Sequence, residues 1–75
     1  MPDIEKELKE KAIEYLKTAY GEDTVKMDVK NNGVEGGNGT LKVECTVSIS
    51  GRHSDWYKEF YFRGGNVAKM TWKMR

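Results

Sequence analysis

Nucleophilic catalysis needs a nucleophile and a base within hydrogen-bond reach, and this 75-residue chain offers one cysteine and one histidine. Cys45 falls inside Leu41, Val43, Cys45, Val47 and Ile49, an alternating apolar run of the kind that forms a half-buried strand. His53 lies beyond it, in a turn expected over Gly51, Arg52, His53 and Ser54. Six strand residues at about 3.3 Å each separate Cys45 from Gly51, placing the two side chains about 20 Å apart and excluding a dyad. Cys45 then reads as a small core hydrophobe and His53 as a turn residue. A single cysteine and no His/Cys cluster give neither an internal disulfide nor a metal framework. Asp28 and Glu44 are the nearest approach to a carboxylate pair, and the preferred strand register gives each a lysine partner instead. No catalytic set emerges, no cofactor is implied, and the expectation is a protein that is not an enzyme.

Two other features invite chemistry. The segment Asn31-Asn32-Gly33-Val34-Glu35-Gly36-Gly37-Asn38-Gly39-Thr40 is glycine-rich like a phosphate loop. It lacks Gly-Lys-Ser/Thr, however, and leads into a strand rather than a helix N-terminus. Gly36-Gly37-Asn38-Gly39 resembles the start of a calcium-binding β-roll repeat, but Leu41 replaces an Asp ligand and there is one copy. Asn38-Gly39-Thr40 is formally a glycosylation sequon. The reading is a flexible hairpin loop over 31–40. Lys58 is the second feature, because it shares the core parity of Trp56 and Phe60. It reads as a snorkelling lysine, an inward charge that discourages aggregation, or a residue relieved by a bulge near Lys58–Glu59. The sharper alternative is a lysine in a partly apolar pocket, poised to act on a ligand.

Net charge is +1, but it is unevenly spread. Residues 1–20 carry −1 and residues 21–50 carry −2, whereas residues 51–75 hold six bases against two acids. The last third also holds both tryptophans, both phenylalanines and two of the four tyrosines. Arg52, Tyr57, Tyr61, Arg63, Lys69, Lys73 and Arg75 therefore form the candidate binding face. Basic residues interleaved with aromatics suit a single-stranded nucleic acid, yet the same composition is what strands and protected sheet edges use.

The elements that position these residues follow from periodicity. Ile4, Leu8, Ala12, Tyr15, Leu16 and Ala19 recur on one face of a helix over about 3–20, with Ile13 and Tyr20 beside them. Pro2, Asp3 and Glu5 suit its start and Gly21 its stop. Thereafter the period falls to 2, predicting strands over about 24–30, 40–50, 55–63 and 67–74. Parity limits the pairings. It predicts Cys45 opposite Phe60 and Val47 opposite Lys58. Across a three-residue Gly64-Gly65-Asn66 loop it places Phe60 opposite Met70 and Phe62 opposite Ala68. Charge favours Lys26 opposite Glu44 and Asp28 opposite Lys42. The expected core is Leu8, Leu16, Val43, Cys45, Val47, Phe60, Phe62, Met70 and Trp72.

The result is a single α+β domain over 1–75, one N-terminal helix packed on a four-stranded antiparallel meander. This α-β-β-β-β order resembles cystatin-like folds and their nuclear-transport-factor-like relatives. The Gln-x-Val-x-Gly hairpin of cystatin inhibitors is absent, Ser48-Ile49-Ser50-Gly51 standing at that hairpin, so the resemblance brings no inhibitory function. With no apolar run long enough to span a bilayer and no signal-peptide h-region, the expectation is a soluble cytoplasmic protein without a membrane partner. The leading functional expectation is a non-enzymatic interaction module that binds a protein through its outer sheet face or an edge. Single-stranded nucleic acid is the alternative ligand, and a small-molecule pocket between helix and sheet the third reading. Outward lysines on the last strand oppose edge pairing between copies, predicting a monomer or weak dimer.

Overall fold

Leu8, Ala12 and Leu16, spaced four apart, form the buried stripe of the one helix, α1 (Ile4–Tyr20). The computed structural model describes residues 4–75, so the expectations for Pro2 and Asp3 lie outside the described residues. Ile13 and Tyr15 pack beside the stripe, whereas Ile4, Ala19 and Tyr20 are exposed, making the apolar face narrower than the sequence periodicity implies. At the C-terminus Gly21 adopts φ 66°. This lets the Gly21 and Glu22 N–H groups donate back to the Lys17 and Leu16 carbonyls at 3.1 and 3.0 Å, which folds Glu22 under the end of the helix.

Four strands follow: β1 (Asp23–Glu35), β2 (Asn38–Ile49), β3 (Arg52–Arg63) and β4 (Asn66–Met74). They form one antiparallel sheet in the order β1-β2-β3-β4, the expected α+β meander. Among the described residues no helix is long and apolar enough to cross a membrane.

The turns are tighter than expected. Gly36-Gly37, Ser50-Gly51 and Gly64-Gly65 are two-residue turns with positive φ at both positions, the geometry whose twist matches that of paired strands. There is no loop over 31–40: β1 and β2 run on through it to Glu35 and Asn38. Glycine there serves close approach. A Cβ on Gly39 would run into the Gly33 carbonyl, and one on Gly37 would lie 2.6 Å from the Gly65 nitrogen. The first and third turns are joined, because Gly65 N–H donates to the Gly37 carbonyl at 3.0 Å and Gly64 N–H to Asn38 Oδ1 at 3.1 Å.

Register shows where local charge rules lost. Asp28 faces Glu44 and Lys26 faces Thr46, a two-residue shift from the expected pairing. Diagonal contacts neutralise the carboxylates, with Lys26 Nζ 3.5 Å from Asp28 and Lys30 Nζ 3.1 Å from Glu44. Bulges at Val25 and Lys30 switch the inward parity of β1 twice, so Val25 is exposed, Met27 is buried and Val34 turns toward the core. The Ser50-Gly51 turn sets Cys45 opposite Trp56 and Val43 opposite Lys58, instead of Phe60 with Cys45 and Lys58 with Val47. Parity is preserved, so the inner residues stay inside. Between β3 and β4 the expected register holds from Tyr57↔Lys73 to Tyr61↔Lys69. A bulge at Ala68 then brings Val67 opposite Phe62. No bulge falls at Lys58–Glu59.

Leu8, Leu16, Val43, Cys45, Val47, Phe60, Phe62 and Met70 are buried as expected, joined by Ala12, Met27 and Leu41. Trp72 is not: it stands 55% exposed. The reason is length. Seventeen helical residues cover about 25 Å. The twelve-residue strands run along a molecule 35 Å in its longest extent, so part of the inner face is left bare beyond the helix end. Ile49, Trp72 and Met74 stand exposed at that uncovered end.

Candidate functional site: the β3–β4 face and the open end of the core

Tyr57 and Tyr61 stand two turns of the pleat apart on the outer face of β3, opposite Lys73 and Lys69 of β4. Each ring already carries a cation. Lys69 Nζ lies 5.6 Å from the Tyr61 centroid and the Arg75 guanidinium 5.7 Å from that of Tyr57. Between the tyrosines, Glu59 accepts hydrogen bonds from the Tyr61 hydroxyl at 3.1 Å and the Thr71 hydroxyl at 3.3 Å, and it lies 3.5 Å from Lys42 Nζ. The Tyr61 hydrogen bond, with help from Lys42 and Thr71, holds the Glu59 carboxyl below its usual range.

The structure thus brings Tyr57, Tyr61, Lys69, Lys73 and Arg75 together. Arg63 lies at the far end of the same face, opposite Asn66. Arg52 does not join them: the two-residue turn pairs it with Ile49, on the inner-face parity, rather than in a loop flanking the tyrosines. Arg63, Lys69, Lys73 and Arg75 enter no ion pair among the described residues. His53 pairs with Ser48, three residues from Cys45, so about 10 Å of strand and the thickness of the sheet separate the two. The expected separation was twice that, but the dyad is excluded either way. Burial pushes the Cys45 thiol up to about 11, opposed in part by Lys58.

β4 is also a free edge. From Lys69 to Met74 it pairs regularly with β3 on one side and leaves its other side open. Its outward residues on one face are Lys69 and Lys73, while Trp72 and Met74, 71% exposed, point to the other. The opposite edge, β1, is broken by its two bulges.

A second cluster occupies the open end of the core. Lys58 is only 3% exposed, and its Nζ lies 3.1 Å from Glu22 Oε1 and 5.3 Å from the Trp56 ring centroid. Neither snorkelling nor a bulge accounts for it: the lysine is buried as half of an ion pair. The contact is ionic more than directional, since Glu22 Oε1 has no aligned donor. Trp56 Nε1 and Thr24 Oγ1 are likewise buried without a hydrogen-bond partner. Lys58, Glu22 and Trp56 line a hollow of about 200 Å³ walled by Tyr20, Met70 and Trp72, the Tyr20 and Trp72 rings meeting edge-on at 6.1 Å. Sequence parity singled out Lys58. Its partner Glu22 carried no periodic signal, because it sits in the connection that Gly21 folds back.

Among the described residues no group of three or more His, Cys, Asp or Glu side chains converges where it could hold a metal ion. Comparison of the chain with protein-family models, characterised proteins and solved structures finds no match.

Proposed function

We propose that this protein is a non-enzymatic interaction module whose β4 edge takes up an extended segment of a partner protein as a fifth strand. The observation that carries this reading is the two-sided chemistry of one open, regular edge. Lys69, Lys73 and Arg75 line its outer side without ion-pair partners, and Trp72 and Met74 lie exposed on its inner side. An added strand alternates its side chains between those sides, so the partner segment alternates acidic and apolar residues. Main-chain hydrogen bonds give affinity, and the alternation gives register. The same cations disfavour pairing of β4 with a second copy, where lysine would face lysine across the new ladder.

Single-stranded nucleic acid remains the second reading, favoured by the Tyr57↔Lys73 and Tyr61↔Lys69 pairings. Against it, Arg75 and Lys69 lie over the rings that bases would stack on, and Glu59 sits between them. Fluorescence anisotropy compares a labelled peptide of alternating Glu and Val, its Lys/Val counterpart and a labelled oligonucleotide. The reading expects saturable binding of the acidic peptide only, weakened as salt rises from about 50 to about 300 mM through screening of the exposed charges. Binding of the oligonucleotide alone would assign the face to nucleic acid instead.

A further inference from the structure

The hollow at the end of α1 is lined by a buried ion pair and by a buried indole donor, Trp56 Nε1, that meets no acceptor. Lys58 brings three N–H groups and meets one carboxylate oxygen. Trp56 brings an indole N–H, buried and unpartnered. Glu22 faces Lys58 at 3.1 Å without an aligned donor at its Oε1, and it is not the partner of the Trp56 indole. A buried donor left without an acceptor is unfavourable, so a ligand that brings an acceptor to Trp56 Nε1 relieves that cost.

Charge narrows the choice further. Lys58 and Glu22 neutralise each other, so a ligand anion would leave a net negative charge beside a buried ion pair. A ligand cation would find the aromatic walls attractive, but Lys58 already holds the place over Trp56. A neutral acceptor avoids both costs. Shape supplies the rest: Tyr20 and Trp72 present aromatic walls and Met70 an adaptable thioether. A volume of about 200 Å³ fits one ring with a short substituent, since cavities of about 150 Å³ admit benzene.

We propose that this hollow is a binding site for a small planar aromatic molecule carrying a neutral carbonyl, the ring lying against Tyr20 and Trp72 and the carbonyl oxygen accepting from Lys58 and Trp56. The site shares Trp72 with the β4 edge, but its polar groups do not belong to that edge. It would survive the failure of that reading, since Lys58 and Trp56 lie on β3, away from the open edge.

The test follows the Trp56 indole N–H resonance of the full ¹⁵N-labelled chain during titration with acetophenone. Toluene, benzoate and benzyltrimethylammonium serve as matched probes lacking the acceptor, adding negative charge and adding positive charge. Acetophenone should move the Trp56 resonance saturably and bind about tenfold or more tighter than toluene, the scale of a hydrogen bond from a charged donor. Lys58→Met combined with Glu22→Gln should erase that preference while toluene still binds. Trp56→Phe, which keeps the pair and removes only the indole donor, should reduce it, the titration then being followed at the Trp72 indole resonance. Equal binding of toluene and acetophenone, an unmoved Trp56 resonance, or tighter binding of either ion would overturn the proposal.

Discussion

Lys58 and Glu22 form the one buried ion pair among the described residues, and their burial makes the consequences of breaking it unequal. Glu22→Gln removes the only carboxylate beside an ammonium that is 3% exposed, and it should destabilise the fold by about 3–5 kcal/mol in urea denaturation. Replacing both partners by apolar residues, Lys58→Met with Glu22→Leu, should recover most of that loss, because the desolvation of two charges disappears together. Lys58's inward parity was legible in the sequence; its partner was not, since a residue in a connection has no period to reveal its direction. Cys45 yields a pH prediction. Its thiol is raised from 9.0 to about 11 in the fold, so the folded state holds a proton that the unfolded chain releases first. Stability from this source is complete below about 9 and is lost as pH climbs toward 11, by about 2–3 kcal/mol. Cys45→Ala should flatten that alkaline limb. Below that range the wild-type thiol should resist thiol reagents without denaturant, and its rapid modification would contradict the buried position.

At the scale of elements, the hairpins carry the sheet and their turns set its register. Ser50 is the only non-glycine residue with positive φ among the described residues, at 51°. Asn tolerates that conformation better, so Ser50→Asn should raise stability by up to about 1 kcal/mol, read as a higher Tm. Gly37→Ala should do the reverse by at least about 1–3 kcal/mol, because φ 83° and the Gly65 backbone both oppose a side chain. The strands' inward parity and the β3–β4 register could be read from Phe60, Met70, Tyr61 and Lys69, where alternation is unbroken. β1 could not be read to its end. Its bulges at Val25 and Lys30 each shift the parity, and the Gly- and Asn-rich stretch beyond them carries too few apolar side chains to show that a strand continues. The β1–β2 register was misjudged for a related reason: lysine side chains reach diagonally, so directly opposed charges do not decide it.

For the whole molecule, a helix shorter than the sheet it covers explains why chemistry gathers where it does. The helix end leaves Trp72 and Met74 exposed, opens the hollow over Lys58, and gives the β4 edge an apolar side opposite its cationic one. The candidate face was legible from composition, since charge and aromatics both collect in the last third of the chain. Its division was not, because Arg52 needed the two-residue turn and Trp72 the helix length. Sedimentation at low and high concentration should report a monomer or a weak dimer, because the cations on β4 oppose pairing with a second copy; a tight dimer would show that the edge pairs with itself. The most direct test of strand addition is an amide ¹H–¹⁵N titration of the labelled chain with the alternating Glu/Val peptide. The account predicts that the largest saturable shifts fall on the backbone amides of Lys69–Met74 and that Lys69→Glu with Lys73→Glu abolishes them. Shifts confined to β1, or to the outer face with the β4 amides unmoved, would contradict it.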